Sequence, residues 1–245
     1  MTKKYYLTTI LLITVIVFSG FLSNAQNSSD TLPEIQTSKT LPKFRIGAQI
    51  GYGYRTAPID AYASPEMKTH NTKLKNNLCF GADMSYYFKK NFGIGIKYNG
   101  IYAGSLSTNI RLLQNDLIYH GLLSEKIGIH FMGGFLSTRF FPNTNNKHFV
   151  FVNVGAGYVR FRDNMIIINL PVKITGNTAA FVAELGYDFW VTKHLAIGFQ
   201  VAMMIGSLKF IDITVGNETE RVALDKLQRE NLTHVDITLG FRFYK

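Results

Sequence analysis

From Phe44 onward the chain alternates with a period of two. In Phe44-Arg45-Ile46-Gly47-Ala48-Gln49-Ile50-Gly51-Tyr52-Gly53-Tyr54 every even position is apolar or aromatic, and every odd one is Gly, Gln or Arg. Such a run fits a strand with one apolar face and excludes an amphipathic helix, whose period is about 3.6. The same pattern recurs in 92–98, 195–203 and 235–243. Marking all such runs predicts eight strands, at 44–54, 78–88, 92–104, 127–141, 148–161, 178–190, 195–208 and 231–244. The connections alternate in length: 89–91, 142–147 and 191–194 are short, while 55–77, 105–126, 162–177 and 209–230 are long. That layout predicts an all-β transmembrane fold, an eight-stranded antiparallel up-and-down β-barrel with four long outer loops and three short periplasmic turns. A soluble sandwich or lipocalin-like barrel has no need of the strict alternation.

Composition agrees. Charged residues make up 17% of the 245-residue chain, below the roughly 25% of soluble domains. The 19 Phe, 13 Tyr and 21 Gly favour strands over helices. A single Cys79 excludes an internal disulfide and a cysteine-rich metal site. Lys3 and Lys4, an apolar run to Leu22 and the exit Ser23-Asn24-Ala25 predict a signal peptide over 1–25. Residues 26–43 are expected to be a flexible periplasmic tail and 44–245 the barrel domain. The expected location is the outer membrane of a Gram-negative bacterium.

Aromatics gather at both ends of the strands. Tyr86, Tyr87, Phe88, Phe92, Phe140, Phe141, Phe189, Trp190, Phe241, Phe243 and Tyr244 lie near the short turns, and Tyr52, Tyr54, Tyr102 and Tyr158 near the long connections. Two interfacial girdles would look like this. The predicted inward set is Arg45, Gln49, Asp83, Lys97, Asn99, His130, Arg139, Asn153, Glu184, Asp188, Gln200, Asp236 and Arg242. An eight-stranded barrel is only wide enough for its own side chains, so this set predicts a polar plug. The turn at 89–91 places Asp83 opposite Lys97, which predicts a cross-strand ion pair. With His130 inward, Arg139 would face lipid, so a β-bulge is expected at Gly133-Gly134.

The segments Ile129-His130-Phe131-Met132-Gly133-Gly134-Phe135, Gly155-Ala156-Gly157-Tyr158 and Gly186-Tyr187-Asp188-Phe189-Trp190 resemble outer-membrane β-barrel families of Bacteroidetes, porin-like and PorT-like. The closing Ile237-Thr238-Leu239-Gly240-Phe241-Arg242-Phe243-Tyr244 is similar to the C-terminal signal read by the barrel-assembly machinery, although Lys245 follows it here. The resemblance runs from about residue 44 to the end and speaks to architecture rather than activity. Asp30-Thr31-Leu32 is similar to an O-glycosylation sequence of the same group.

No catalytic, cofactor or metal residues are expected. There is no G-x-S-x-G elbow and no H-E-x-x-H motif. His70 and His120 read as solvated loop residues; His120 with Ser124 or Asp116 loosely echoes lipid A palmitoyl transferases. Arg55, Lys68, Lys73 and Lys75 make the first outer loop basic and are its candidate contacts to outer-membrane lipid and lipopolysaccharide. Scattered charge without a basic stripe argues against nucleic acid. Asn217 and Glu220 resemble a helix cap before Val222, and Ile110, Leu113, Leu117 and Ile118 suggest a second short helix. The function expected is non-catalytic, in envelope structure or surface interaction through the outer loops. The alternatives are a component of a secretion or assembly complex with an unknown protein partner, a lipid-modifying enzyme and a narrow channel.

Overall fold

A computed structural model describes residues 41–114, 117–141 and 148–245. The expected signal peptide, the tail up to residue 40 with Thr31, and Asp116 lie outside the described residues, as does the side chain of His120. The described chain forms β1 (Phe44–Arg55), α1 (Pro65–Leu74), β2 (Asn76–Tyr87), β3 (Phe92–Gln114), β4 (Leu117–Phe140), β5 (His148–Ile167), β6 (Leu170–Trp190), β7 (Leu195–Gly206), β8 (Phe210–Val215), β9 (Glu218–Ala223) and β10 (His234–Tyr244). Strands β1 to β7 pair in sequence, antiparallel throughout, and β10 pairs with both β7 and β1. Eight strands therefore close into a ring, which leaves the barrel wall no free edge. The short turns at 89–91 and 191–194 lie where the sequence puts them, and 142–147 falls outside the described residues. No helix among the described residues is long and apolar enough to cross a membrane.

The outer side of the wall is apolar between two levels of rings. On β10 the outward residues are Val235, Ile237, Leu239, Phe241 and Phe243; on β1 they are Phe44, Ile46, Ala48, Ile50, Tyr52 and Tyr54. Five or six outward positions correspond to about ten residues of tilted strand, the length that crosses a bilayer. Tyr52, Tyr54, Tyr102 and Tyr158 face outward near the long connections. At the other end Tyr86, Phe88, Phe92, Phe189, Phe241 and Phe243 do the same. Trp190 and Phe141 turn inward to pack on the lumen cluster, and Tyr87 and Tyr244 depart furthest from the expected girdle. Both are buried inside, where the Tyr244 ring lies 4.4 Å from Trp190 and the Arg139 guanidinium lies 3.9 Å over Tyr87.

The long connections are long for an unexpected reason. β3 and β4 run on to residues 114 and 117 instead of forming a helix around Ile110 and Leu113. β5 and β6 continue to Ile168-Asn169, whose φ values of 49° and 67° match a two-residue hairpin turn. The helix expected near 217–227 is the hairpin β8–β9, turned by Gly216 at φ 60° and paired to β6. In each case the strands extend an existing ladder, so their backbone groups are satisfied as they form. A helix does occur in the first connection. Ser64 accepts from the Met67 amide as N-cap, and Pro65 occupies the first turn.

The expected bulge is absent. β4 pairs in unbroken register from Leu123 to Thr138 with β3 and from Leu123 to Phe140 with β5. Its odd residues from Ile127 to Arg139 all face in, so His130 faces out. His130 sits in the outer girdle, with the Tyr98 hydroxyl 2.7 Å from Nδ1 and the Tyr102 hydroxyl 3.2 Å from Nε2. Phe131 takes the inward place because Gly133 and Gly157 leave room for its ring.

The lumen is consequently layered. Nearest the short turns lies a plate of Tyr87, Phe149, Trp190 and Tyr244. Above it comes an ionic layer in which Arg45, Lys97, Arg139 and Arg242 balance Asp83, Glu184, Asp188 and Asp236. A third layer, including Cys79, Ile101, Ile129, Phe131, Val159, Val182 and Met204, is apolar. The plug is thus polar in only part of its height. Gly198 is needed by the ionic layer, because a Cβ there would overlap the Asp188 carboxylate and the Arg242 guanidinium. Gly198→Val is expected to destabilise the barrel by about 1–3 kcal/mol, read as a lowered midpoint in the heat-induced gel shift.

Candidate functional site at the outer mouth

Among the predicted lumen residues, Arg45, Gln49, Asp83, Lys97, Asn99, Arg139, Asn153, Glu184, Asp188, Gln200, Asp236 and Arg242 are buried inside the ring. His130 is the exception. The register does bring Asp83 opposite Lys97. The ion pairs nevertheless run to other partners: Lys97 pairs with Glu184 across the lumen, and Asp83 with Arg45 at 3.2 Å. Cross-lumen reach from a long side chain has outcompeted the neighbour on the wall. Arg242 Nε lies 3.3 Å from Asp188, and the Tyr244 hydroxyl donates to the same carboxylate at 2.6 Å. Asn153 donates to Glu184 at 2.8 Å, and Asn99 to Asp236 at 2.9 Å. Arg139 instead donates to the Lys90 carbonyl at 2.9 Å and lies over the Tyr87 ring.

A cavity of about 280 Å³ opens above the apolar layer, at the end carrying the long connections. Its floor is Ile127, Phe161, Ile174, Ile211 and Leu224, and its wall carries Arg55, Glu125, Asp163 and Glu230. Arg55, expected at the surface, is buried. Its guanidinium donates to Glu230 at 2.6 Å and to the Asn231 carbonyl at 3.3 Å. Lys68 and Lys73 are exposed on α1, and Lys75 stands at the cavity rim with its ammonium 5.8 Å from the Tyr54 ring centre.

His70 departs furthest from its expected place. It is fully buried, with its Nε2 3.0 Å from the Glu125 carboxylate and its Nδ1 3.0 Å from Ser105 Oγ and 3.1 Å from Ser107 Oγ. The carboxylate fixes Nε2–H as the donor, which leaves Nδ1 to accept from the hydroxyls. A signal was available: Met67, His70, Asn71 and Leu74 fall at i, i+3, i+4 and i+7, the stripe of a helix packed on one face. Serine, histidine and carboxylate in series resemble a hydrolase relay. Here two serines share one nitrogen, the ring is inaccessible and neither serine lines the cavity, so the arrangement latches α1 to the wall.

Asp163 lies toward the outer mouth, beyond the outward Arg160 and Arg162 of the same strand. Burial, with Glu125 and Glu230 nearby, pushes its carboxyl up to about 8, against the opposing pull of Arg55. The folded mouth therefore holds a proton that the unfolded chain releases near its ordinary value of 3.8. The stability this contributes is complete below that value and is lost as pH rises through about 8. Hydrogen-exchange protection factors in the outer connections, corrected for the intrinsic pH dependence of exchange, are expected to fall between about pH 5 and pH 8.5, and Asp163→Asn is expected to flatten the fall.

The fold is similar to that of a major outer membrane protein from Thermus thermophilus, with a TM-score of 0.51 and 9% identity over 82% of this chain and 98% of that one. OprG from Pseudomonas aeruginosa gives a TM-score of 0.49 and 12% identity over 84% and 98%. Neisserial surface protein A gives 0.47 and 8% over 82% and 97%. At these identities the likeness is one of fold. No family model and no curated protein matches the sequence. The structural neighbours are bacterial outer-membrane proteins, and the chain shares their architecture: a closed antiparallel barrel with an apolar outer band.

Proposed function

We propose that this chain is a non-catalytic integral protein of a Gram-negative outer membrane, of the porin-like and PorT-like kind, acting at its outer mouth in envelope structure or surface interaction. The observation that carries the reading is the pairing of an apolar, ring-bounded outer band with a lumen filled by four buried cations and four buried anions, six of them joined in three ion pairs. Such a barrel presents its surface to partners and conducts little. Exposed Lys68 and Lys73 are its candidate loop contacts to lipopolysaccharide, and the 237–244 segment is its candidate signal to the assembly machinery. Membrane fractionation with gel mobility tests the reading. An outer-membrane band that runs faster unboiled than boiled supports it, and a soluble band indifferent to boiling overturns it.

A structural role in a secretion or assembly complex is the second reading. It is favoured by β9, which ends the sheet with one side unpaired. Glu218, Glu220 and Arg221 on that strand discourage indiscriminate pairing, so a partner strand would need matching charge. Co-purification that is lost on deleting 210–223 supports this role.

A further inference from the structure

Strand alternation sorts charge by face at the outer end of β4, β5 and β6. Glu125 and Asp163 point into the mouth, while their chain neighbours Lys126 and Arg162 point away from it and are exposed. Arg160 and Lys173 are exposed on the same outer face. The register fixes how these cations are arranged. Asn164 lies opposite both Lys126 and Lys173; Arg162 lies opposite Gly128 and Thr175; Arg160 lies opposite His130 and Asn177. The patch is thus three rows deep and three strands wide, and the other outward residues of those three strands in these rows are neutral or histidine; Asp212 of β8, opposite Thr175, borders the middle row. None of the four cations has an ion-pair partner among the described residues.

Its height is set by the strand below. The outward residues of β5 run Val150, Val152, Val154, Ala156 and Tyr158 before Arg160 and Arg162. At about 3.3 Å per residue and a tilt near 40°, the two arginines stand roughly 5 and 10 Å above the Tyr158 position. Arg160 thus stands within the headgroup layer, which occupies about 5–8 Å on each side of the hydrocarbon, and Arg162 at its outer margin. Gly128 and Thr175 flank Arg162 with little bulk, so a group approaching along the barrel wall reaches its guanidinium.

We propose that Lys126, Arg160, Arg162 and Lys173 form a binding site on the barrel wall for the phosphorylated headgroup of an outer-leaflet lipid, whose acyl chains lie against the apolar band beneath. The site rests on the outer-membrane reading and is separate from the lysines of α1. Arginine forks suit phosphate oxygens, and the two flanking lysines add charge without demanding one geometry. The continuity of the patch with the lipid-facing band favours a membrane-anchored phosphate over a free one.

The test uses the mature protein in nanodiscs of phosphatidylcholine, with or without diphosphoryl lipid A. Native mass spectrometry counts retained lipid A, and the gel shift reports the unfolding midpoint. Wild type is expected to retain lipid A and to unfold at a higher temperature in its presence. The Lys126→Gln/Arg160→Gln/Arg162→Gln/Lys173→Gln variant is expected to match wild type in phosphatidylcholine alone and to bind lipid A at least about a hundredfold more weakly. Lys89→Gln/Lys193→Gln, exposed at the opposite, short-turn end, is expected to bind as wild type does. Equal retention by the four-site variant would overturn the proposal, as would an equal rise in midpoint from about 10 mM inorganic phosphate. Failure of the wild type to give a heat-shifted band would instead count against the outer-membrane reading itself.

Discussion

Lys97→Met is expected to destabilise the barrel by about 3–5 kcal/mol, although it removes one charge from a side chain that touches almost no solvent. Lys97 and Glu184 pair inside the ionic layer, and both are buried. Without the ammonium, the Glu184 carboxylate keeps only the Asn153 amide as a donor among the described contacts. The loss comes mainly from the charge left behind. Lys97→Met combined with Glu184→Leu should therefore recover most of the stability, since both desolvation costs vanish together. Unfolding in urea, followed by the gel shift, reads the difference. A single variant within about 1 kcal/mol of wild type, or a double variant equal to the sum of the two singles, would show that the layer is not coupled in this way.

His70→Ala is expected to release α1 while leaving the barrel intact. The ring connects the helix to Glu125, Ser105 and Ser107 on the wall. Its removal leaves Glu125 beside Asp163 without its imidazole donor and opens a cavity under Leu74, a loss of about 2–3 kcal/mol confined to the mouth. Proteolysis between residues 56 and 75 should accelerate about 30- to 160-fold, as local opening follows the same free energy. The gel-shift midpoint should move little. An unchanged cleavage rate would mean that α1 is held by Leu74 alone.

The strands were legible because their chemistry is local. Alternation marks the outward face, and the three-residue turn fixes Asp83 opposite Lys97 without any knowledge of the fold. What that register does not specify is which charges meet, since Glu184 reaches Lys97 from β6 across the lumen and Arg45 reaches Asp83 diagonally from the adjacent β1. The phase of β4 was readable by another route. Counting by twos from Arg139 reaches Phe131, Ile129 and Ile127, which requires an apolar layer in the lumen rather than a bulge. The assumption that the interior is polar throughout hid it.

The outer connections were harder for a similar reason. Asn217 and Glu220 resemble a cap, yet Gly216-Asn217 between Ile211-Asp212-Ile213 and Val222 is also a hairpin turn. The decision belongs to β6, whose edge offers β8 a ladder. Ser64-Pro65-Glu66 was the clearer helix start, and with it comes the stripe that buries His70. The mouth cavity follows from these three tertiary choices, so no single segment announces it.

Conductance across a planar bilayer tests the central claim, that the lumen is filled by its own side chains. Wild-type barrels inserted at known number should give no steps above baseline at about 1 M salt and about 100 mV. A variant with Arg45, Arg139 and Phe149 all changed to Ala, which opens the plate and the ionic layer together, should give small but resolvable ones. Regular steps from the wild type, unaltered by changes at these residues, would contradict the plugged barrel and make this protein a channel.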